Sequence, residues 1–239
     1  MAADYYTSRR SRLLQDFDRF SDLLGEVISS FYGDDLAPHI VRETRAEFED
    51  LIPQLPYIGG DKNPQTRDVI GTSYGLALYR ALTARGKTAH EIGRVSYALA
   101  EARFASMPWT SNLAFRLMRA LLCTRLGKRL FKVLLRRRAK QSQQDCYPGG
   151  AVAYFVEGVS GEFDCGVDIT ECPIVNFFRG QGAGEFARYV CLYDFVASKF
   201  SGTGLVRTMT LAEGADRCDD RFRLGQMPEN RQKTQISIS

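Results

Sequence analysis

The chain has 239 residues and a formal net charge of +4, with 44% hydrophobic and 25% charged residues. Such proportions exclude a disordered or fibrous chain, and so mild a charge does not mark a protein built around nucleic acid. No basic leader with an apolar block opens the sequence, and no apolar run approaches the roughly 18 residues of a membrane span.

The expectation is therefore a soluble cytoplasmic protein with no nucleic-acid or membrane partner and room for homo-oligomerisation. Six cysteines without dense spacing read as reduced thiols rather than a secreted disulfide scaffold.

Over residues 8–31, Leu13, Phe17, Phe20, Leu24, Val27 and Phe31 recur at three-and-four spacing, which predicts an amphipathic helix ended by Gly33. A second helix is expected over 36–51, with Ile40, Phe48 and Leu51 inward. The Pro- and Gly-rich stretch 56–64 must be a loop. A third helix is expected over 66–84. Thr88 with Glu91 three residues on is a capping box, starting a fourth helix that reaches about Phe104. A fifth is expected from Thr110 or Ser111 to Arg138.

That fifth helix ends with eight Lys and Arg between Arg125 and Lys140. A basic amphipathic helix can lie on an anionic membrane or on nucleic acid. The plainer reading is a solvated face whose long stems cover a core stripe of Leu126, Leu130, Val133 and Leu134.

Residues 141–150 carry no apolar period, and Tyr147-Pro148-Gly149-Gly150 marks a turn. The period then becomes two, predicting strands over 151–156 and 162–170 around a hairpin turn at 158–161. Phe163, Cys165, Val167 and Ile169 share one face of the second strand. Continued alternation would bring Glu171 to that apolar side and Cys172 to the polar side before Pro173 ends the strand. A helix over 183–200 carries Ala187, Cys191, Asp194 and Ser198 as one narrow stripe, setting a thiol beside a carboxylate. Strands over 205–212 and 217–224 follow, and a loosely held tail after Met227. Three regions result: helical (1–145), β-rich with the candidate site (146–228), and tail (229–239), the first two packed as one domain.

His39 and His90 are the only histidines, both early in expected helices, so a histidine-based triad is disfavoured. Cys123, Cys146 and Cys165 read as small buried apolar side chains. Cys172, Cys191 and Cys218 lack Cys-x-x-Cys spacing; no metal is expected, and a three-thiolate zinc site stands as the alternative. The Gly-rich loop before residue 183 does not meet the strand–Gly-rich loop–helix order of a nucleotide site.

The chain resembles the L-2-amino-thiazoline-4-carboxylic acid hydrolase family. The matching residues are Leu51-Ile52-Pro53 through Tyr57-Ile58-Gly59-Gly60 with Asn63, Leu76-Ala77-Leu78-Tyr79, Glu171-Cys172-Pro173-Ile174 and Cys191-Leu192-Tyr193-Asp194. The last and most specific block runs from Arg207 to Asp216 and into Cys218-Asp219-Asp220-Arg221-Phe222. The family pattern there usually reads Cys-Asp-Phe-Arg-Phe, so an acid at 220 replaces an aromatic. The ending is also similar to vinyl-reductase-type small-molecule-binding domains. By analogy this implies an α+β fold, with about five N-terminal helices packed on a C-terminal antiparallel sheet that carries one further helix.

The resemblance implies hydrolysis of a cyclic amidine. Water adds to the N–C–N carbon of a 2-aminothiazoline, the carbon–sulfur bond breaks, and N-carbamoyl-cysteine forms. The cationic fork calls for a carboxylate, with Glu171 and Asp194 as candidates and Asp219 and Asp220 behind them. The substrate carboxylate calls for Arg207 or Arg221, and Asn63 belongs to the binding residues. Either Glu171 acts as general base, or Cys172, Cys191 or Cys218 attacks first. Alternatives are a related ring-closing or isomerising step and a non-catalytic ligand-binding module.

Overall fold

The three-and-four apolar spacing builds a layer of packed helices. The computed structural model of the chain describes residues 2–144 and 149–236. Helices α1 (Ala2–Thr7), α2 (Arg10–Tyr32), α3 (Ala37–Leu51), α4 (Gln65–Thr83) and α5 (Ala89–Ala105) come first. Their inward residues Phe17, Phe48 and Tyr74 meet ring to ring, with Phe17 stacked on Phe48 at 5.6 Å. The capping box at α5 is formed, Glu91 N donating to Thr88 Oγ1 at 3.2 Å and Thr88 N to Glu91 Oε2 at 2.9 Å.

The expected fifth helix is two, α6 (Trp109–Leu122) and α7 (Arg125–Gln144). Thr124 makes the break, its hydroxyl accepting from Gly127 N at 3.0 Å as a helix cap. A Cβ on Gly127 would stand 2.0 Å from the Leu121 carbonyl oxygen, so only glycine permits so tight a turn. The expected core stripe is also corrected: Leu126, Leu130, Val133 and Leu134 are all exposed, Leu126 at 72%. Gly127, Phe131 and Ala139 lie inward instead. Cys146 and the Tyr147-Pro148 part of the expected turn lie outside the described residues.

Strands β1 (Val152–Val159) and β2 (Phe163–Glu171) form the expected hairpin, and β4 (Cys218–Phe222) pairs antiparallel with β2. β3 (Leu205–Arg207) pairs antiparallel with β4 and parallel with β5 (Glu229–Asn230), giving the order β1-β2-β4-β3-β5. The sheet is thus mixed rather than antiparallel, and the expected loose tail supplies an edge strand. Gln232 and Thr234 are buried, Thr234 N donating to Glu213 Oε1 at 2.7 Å.

β3 is shorter than its apolar pattern because Asp219 draws the backbone off the ladder. Its carboxylate accepts from Thr208 N at 2.9 Å and Met209 N at 2.8 Å. Between β2 and β3 lie three helices rather than one: α8 (Pro173–Gly180), α9 (Gly184–Val190) and α10 (Tyr193–Ser201). Proline at the first helical position starts α8, where its missing N–H costs nothing.

Register determines the two sheet faces. Phe155, Val167 and Asp220 lie in line on one face, as do Ala153, Ile169 and Cys218. α7 covers the β1 end of that face, Phe131 meeting Phe222 at 5.5 Å. The opposite face carries the polar ladder of Asp168, Asp219 and Arg221, of which Asp219 is buried. One apolar core runs through α2, α3, α4 and α5 into α8 and α9, joining Leu78 and Ile92 to Phe178 and Phe186.

Candidate active site

Position 207 decides the arrangement. Arg207 ends β3 on the covered sheet face and is 2% exposed. Its Nη1 donates to Asp194 Oδ2 at 2.8 Å and to Asp220 Oδ1 at 3.3 Å, and its Nη2 to the Cys191 carbonyl at 2.5 Å. The guanidinium also lies 5.0 Å from the Phe195 ring centroid. Nε is buried without a hydrogen-bond partner, leaving one donor unspent.

Local structure explains each contact. The single helix expected over 183–200 breaks after Val190, so the Cys191 carbonyl is one of the orphan acceptors at a helix C-terminus, where a cation is also favoured. Asp194 stands in the first turn of α10 with its side chain 52% exposed. Asp220 comes from the middle of β4 and is buried, so the two carboxylates bracket the guanidinium from the mouth and from the floor.

Burial pushes the Asp220 carboxyl up to about 6, Arg207 opposing and Asp194 adding to the rise. Asp68 on α4 joins this group from the helical layer. It is solvent-accessible, yet surrounding protein raises its pKa and the charge of Asp194 adds to the effect. Asp68 was missed because an acid in the first turn of a helix is ordinary, and only its spatial neighbour marks it.

The three thiols of the separated motifs all lie within electrostatic reach of Arg207. Burial raises all three, Cys191 well above its ordinary value and Cys218 to about 12, against the pull of Arg207. Cys218 Sγ also accepts from Leu211 N at 3.4 Å. Enclosed thiols of this kind stay protonated at neutral pH.

Several expectations change. Glu171 is exposed rather than inward, while Cys172 packs against the apolar core. A β-bulge inverts the alternation: Ala153 pairs with Ile169 but Val152 with Glu171, so β2 carries an extra residue at its end. Arg221 and Asp219 lie on the other sheet face from Arg207. Arg221 Nη2 donates to Asp168 Oδ1 at 2.7 Å, and Asp219 holds the Thr208–Met209 backbone. Asn63 staples the loop before α4, its Nδ2 donating to the Ile58 carbonyl at 2.6 Å and its Oδ1 accepting from Gln65 N at 3.0 Å.

His39 and His90 are both exposed. Cys165 is fully buried, whereas Cys123, expected to be buried, is exposed. Among the described residues no three His, Cys, Asp or Glu side chains are grouped to hold a metal ion. A shallow depression of about 310 Å3 lies elsewhere, lined by Asp22, Glu26, Ser29 and Val41 among others, and none of the site's acids or thiols borders it.

Fold and site together define an α+β protein in which carboxylates, thiols and one buried guanidinium meet between a helical layer and one face of a mixed sheet. Residues 76–222, more than half of the chain, match the model of the L-2-amino-thiazoline-4-carboxylic acid hydrolase family, and the chain belongs to that family. Neither the comparison with curated proteins nor that with solved structures returned a match.

Proposed function

We propose that the protein is a hydrolase that adds water to the amidine-type carbon of a small cyclic substrate, of the 2-aminothiazoline-4-carboxylate kind, and opens the ring. The observation that carries this reading is the Arg207–Asp194–Asp220 cluster with its three neighbouring thiols, drawn from separated segments of the family-matched region.

Asp194, exposed at the mouth, receives the cationic N–C–N fork, paired N–H donors matching two carboxylate oxygens. Asp68 adds negative charge beside it. Arg207 holds both carboxylates in place and lends positive charge to the side of the site where a substrate anion would lie. Asp220, with a pKa of about 6, takes the proton of the attacking water. The carbon–oxygen bond forms on the cation, whose ring nitrogen already carries its proton. The neutral tetrahedral adduct collapses to the carbonyl as the carbon–sulfur bond breaks and the adduct's hydroxyl proton is released. The leaving sulfur collects a proton, so substrate plus one water equals product. The raised thiol pKa values favour this general-base route over attack by a thiolate, and they suit a neutral Cys191 or Cys172 as the proton source for the leaving sulfur.

A specific observation favours a second reading. Asp220 stands where the family pattern has an aromatic, and it is half of a buried ion pair. The altered floor fits a related ring-closing or isomerising step on the same class of substrate.

Incubation of metal-stripped protein with 2-aminothiazoline-4-carboxylate and close analogues, followed by mass spectrometry, tests both. A product heavier by one water is expected. A product of unchanged mass with a new retention time selects the second reading, and recovery of every substrate intact refutes both.

A further inference from the structure

Eight of the fourteen exposed large hydrophobic side chains among the described residues lie on α6 and α7, so this helix pair is where apolar surface is concentrated. Leu113, Leu117 and Leu121 recur every fourth residue on α6, and Leu126, Leu130 and Leu134 do the same on α7. Such spacing makes a continuous stripe along each helix.

Packing of the protein itself leaves most of these stripes uncovered, with Leu121 lying against Gly127 of α7. α7 is held to the sheet through the neighbouring row, Phe131 against Phe222 and Ala139 at 3% exposure, with Arg136 over the Phe155 ring at 4.6 Å. Both stripes are therefore largely spare, and single exposed leucines, which are normal on any surface, do not describe them.

Charge identifies the occupant. Residues 109–144 contain ten Lys and Arg and no Asp or Glu. Lys128 pairs with Asp164 and Arg136 with Glu157, and among the described residues none of the other eight forms an ion pair. A second copy seated symmetrically on this face would bring two such cationic surfaces together. Nucleic acid would meet leucine and valine where polar or stacking groups are needed. An anionic lipid surface satisfies both features, since headgroups meet the cations and the acyl boundary receives the leucines. Among the described residues no helix is long and apolar enough to cross a membrane, so the pair would lie in the plane of the interface.

We infer that α6 and α7 form an in-plane docking surface for anionic lipid bilayers. The catalytic cluster lies on other elements, so this inference stands apart from the proposed chemistry.

The test is flotation of the full chain with vesicles of phosphatidylcholine alone and of phosphatidylcholine with phosphatidylglycerol. Binding at least about tenfold tighter to the anionic vesicles is expected, since each surface cation contributes roughly 1 kcal/mol, and it should weaken as salt rises. The triple variant Leu117→Glu, Leu126→Glu, Leu130→Glu should lose binding. Because all three side chains are exposed, its circular dichroism and melting should match those of the parent. Equal or absent binding to the two vesicle types overturns the inference. So does a concentration-dependent dimer abolished by the same triple variant, which would assign the face to a second copy, or tighter binding to duplex DNA than to the anionic vesicles.

Discussion

Arg207 and Asp220 are a buried cation and a buried acid side by side on neighbouring strands, with Asp194 sharing the cation from the more exposed side. Removing one partner of such a pair leaves an uncompensated charge and costs about 3–5 kcal/mol, whereas replacing both by apolar groups is often neutral. Arg207→Met should therefore lower the stability measured by urea unfolding by about that amount, and adding Asp220→Leu should recover more than half of it. A single variant within about 1 kcal/mol of the parent would show that the pair does not hold the structure.

Titration of the same acid gives a second test. Its folded-state pKa is raised, to about 6 from an ordinary 3.8, so the fold favours the neutral carboxyl. The stability this contributes is complete below the ordinary value and is lost as pH rises through about 6. Unfolding free energy measured between those limits should fall by about 3 kcal/mol more in the parent than in Asp220→Asn, at roughly 1.4 kcal/mol per pKa unit. A parallel pair of curves would contradict the burial assigned to Asp220.

At this scale the residue types of the site were legible and their directions were not. Asp194, Cys191, Arg207, Cys218 and Cys172 do converge. Glu171 turns outward because a bulge opposite Val152 resets the strand's parity, and a bulge depends on the partner strand rather than on local residues. Arg221 and Asp219 face away because β4, like any strand, alternates its faces.

Helix α9 owes its position to α5. A Cβ on Gly93 would lie 2.5 Å from the Tyr189 ring, so the two helices approach as closely as a glycine allows. Gly93→Ala should destabilise by about 1–3 kcal/mol through overpacking, seen as a drop of several degrees in Tm. Displaced α9 carries the Cys191 carbonyl away from Arg207, so turnover should fall more than in Thr88→Ala. That variant removes only the α5 cap, at about 1 kcal/mol, and serves as the stability control. Equal turnover in the two variants would mean that the α5–α9 contact does not set the site.

Helix existence was readable wherever apolar spacing was long and regular, as in α2, α4 and α5. The helices joined in error were those whose break is only two residues long, Cys123-Thr124 between α6 and α7 and Cys191-Leu192 between α9 and α10.

The tail matters to the whole molecule. β5 covers the outer edge of β3, and Thr234 is tied to Glu213. Removing residues 228–239 should bare that edge and lower Tm by several degrees, with faster limited proteolysis near Arg207. An unchanged melting curve would relegate β5 to a surface trimming.

Periodicity and turn residues were enough to set the helices before the strands and to place the β1–β2 hairpin, because each depends on neighbours in sequence. The resemblance of several residue blocks implied the family and its α+β fold. Mixed sheet order, the bulge at Glu171, the outward leucines of α6 and α7, and the electrostatic influence of Asp194 on Asp68 came only with the tertiary structure. A short strand's partner, a helix's buried side and a charge's neighbour are decided by segments tens of residues away, whose approach the local pattern does not encode.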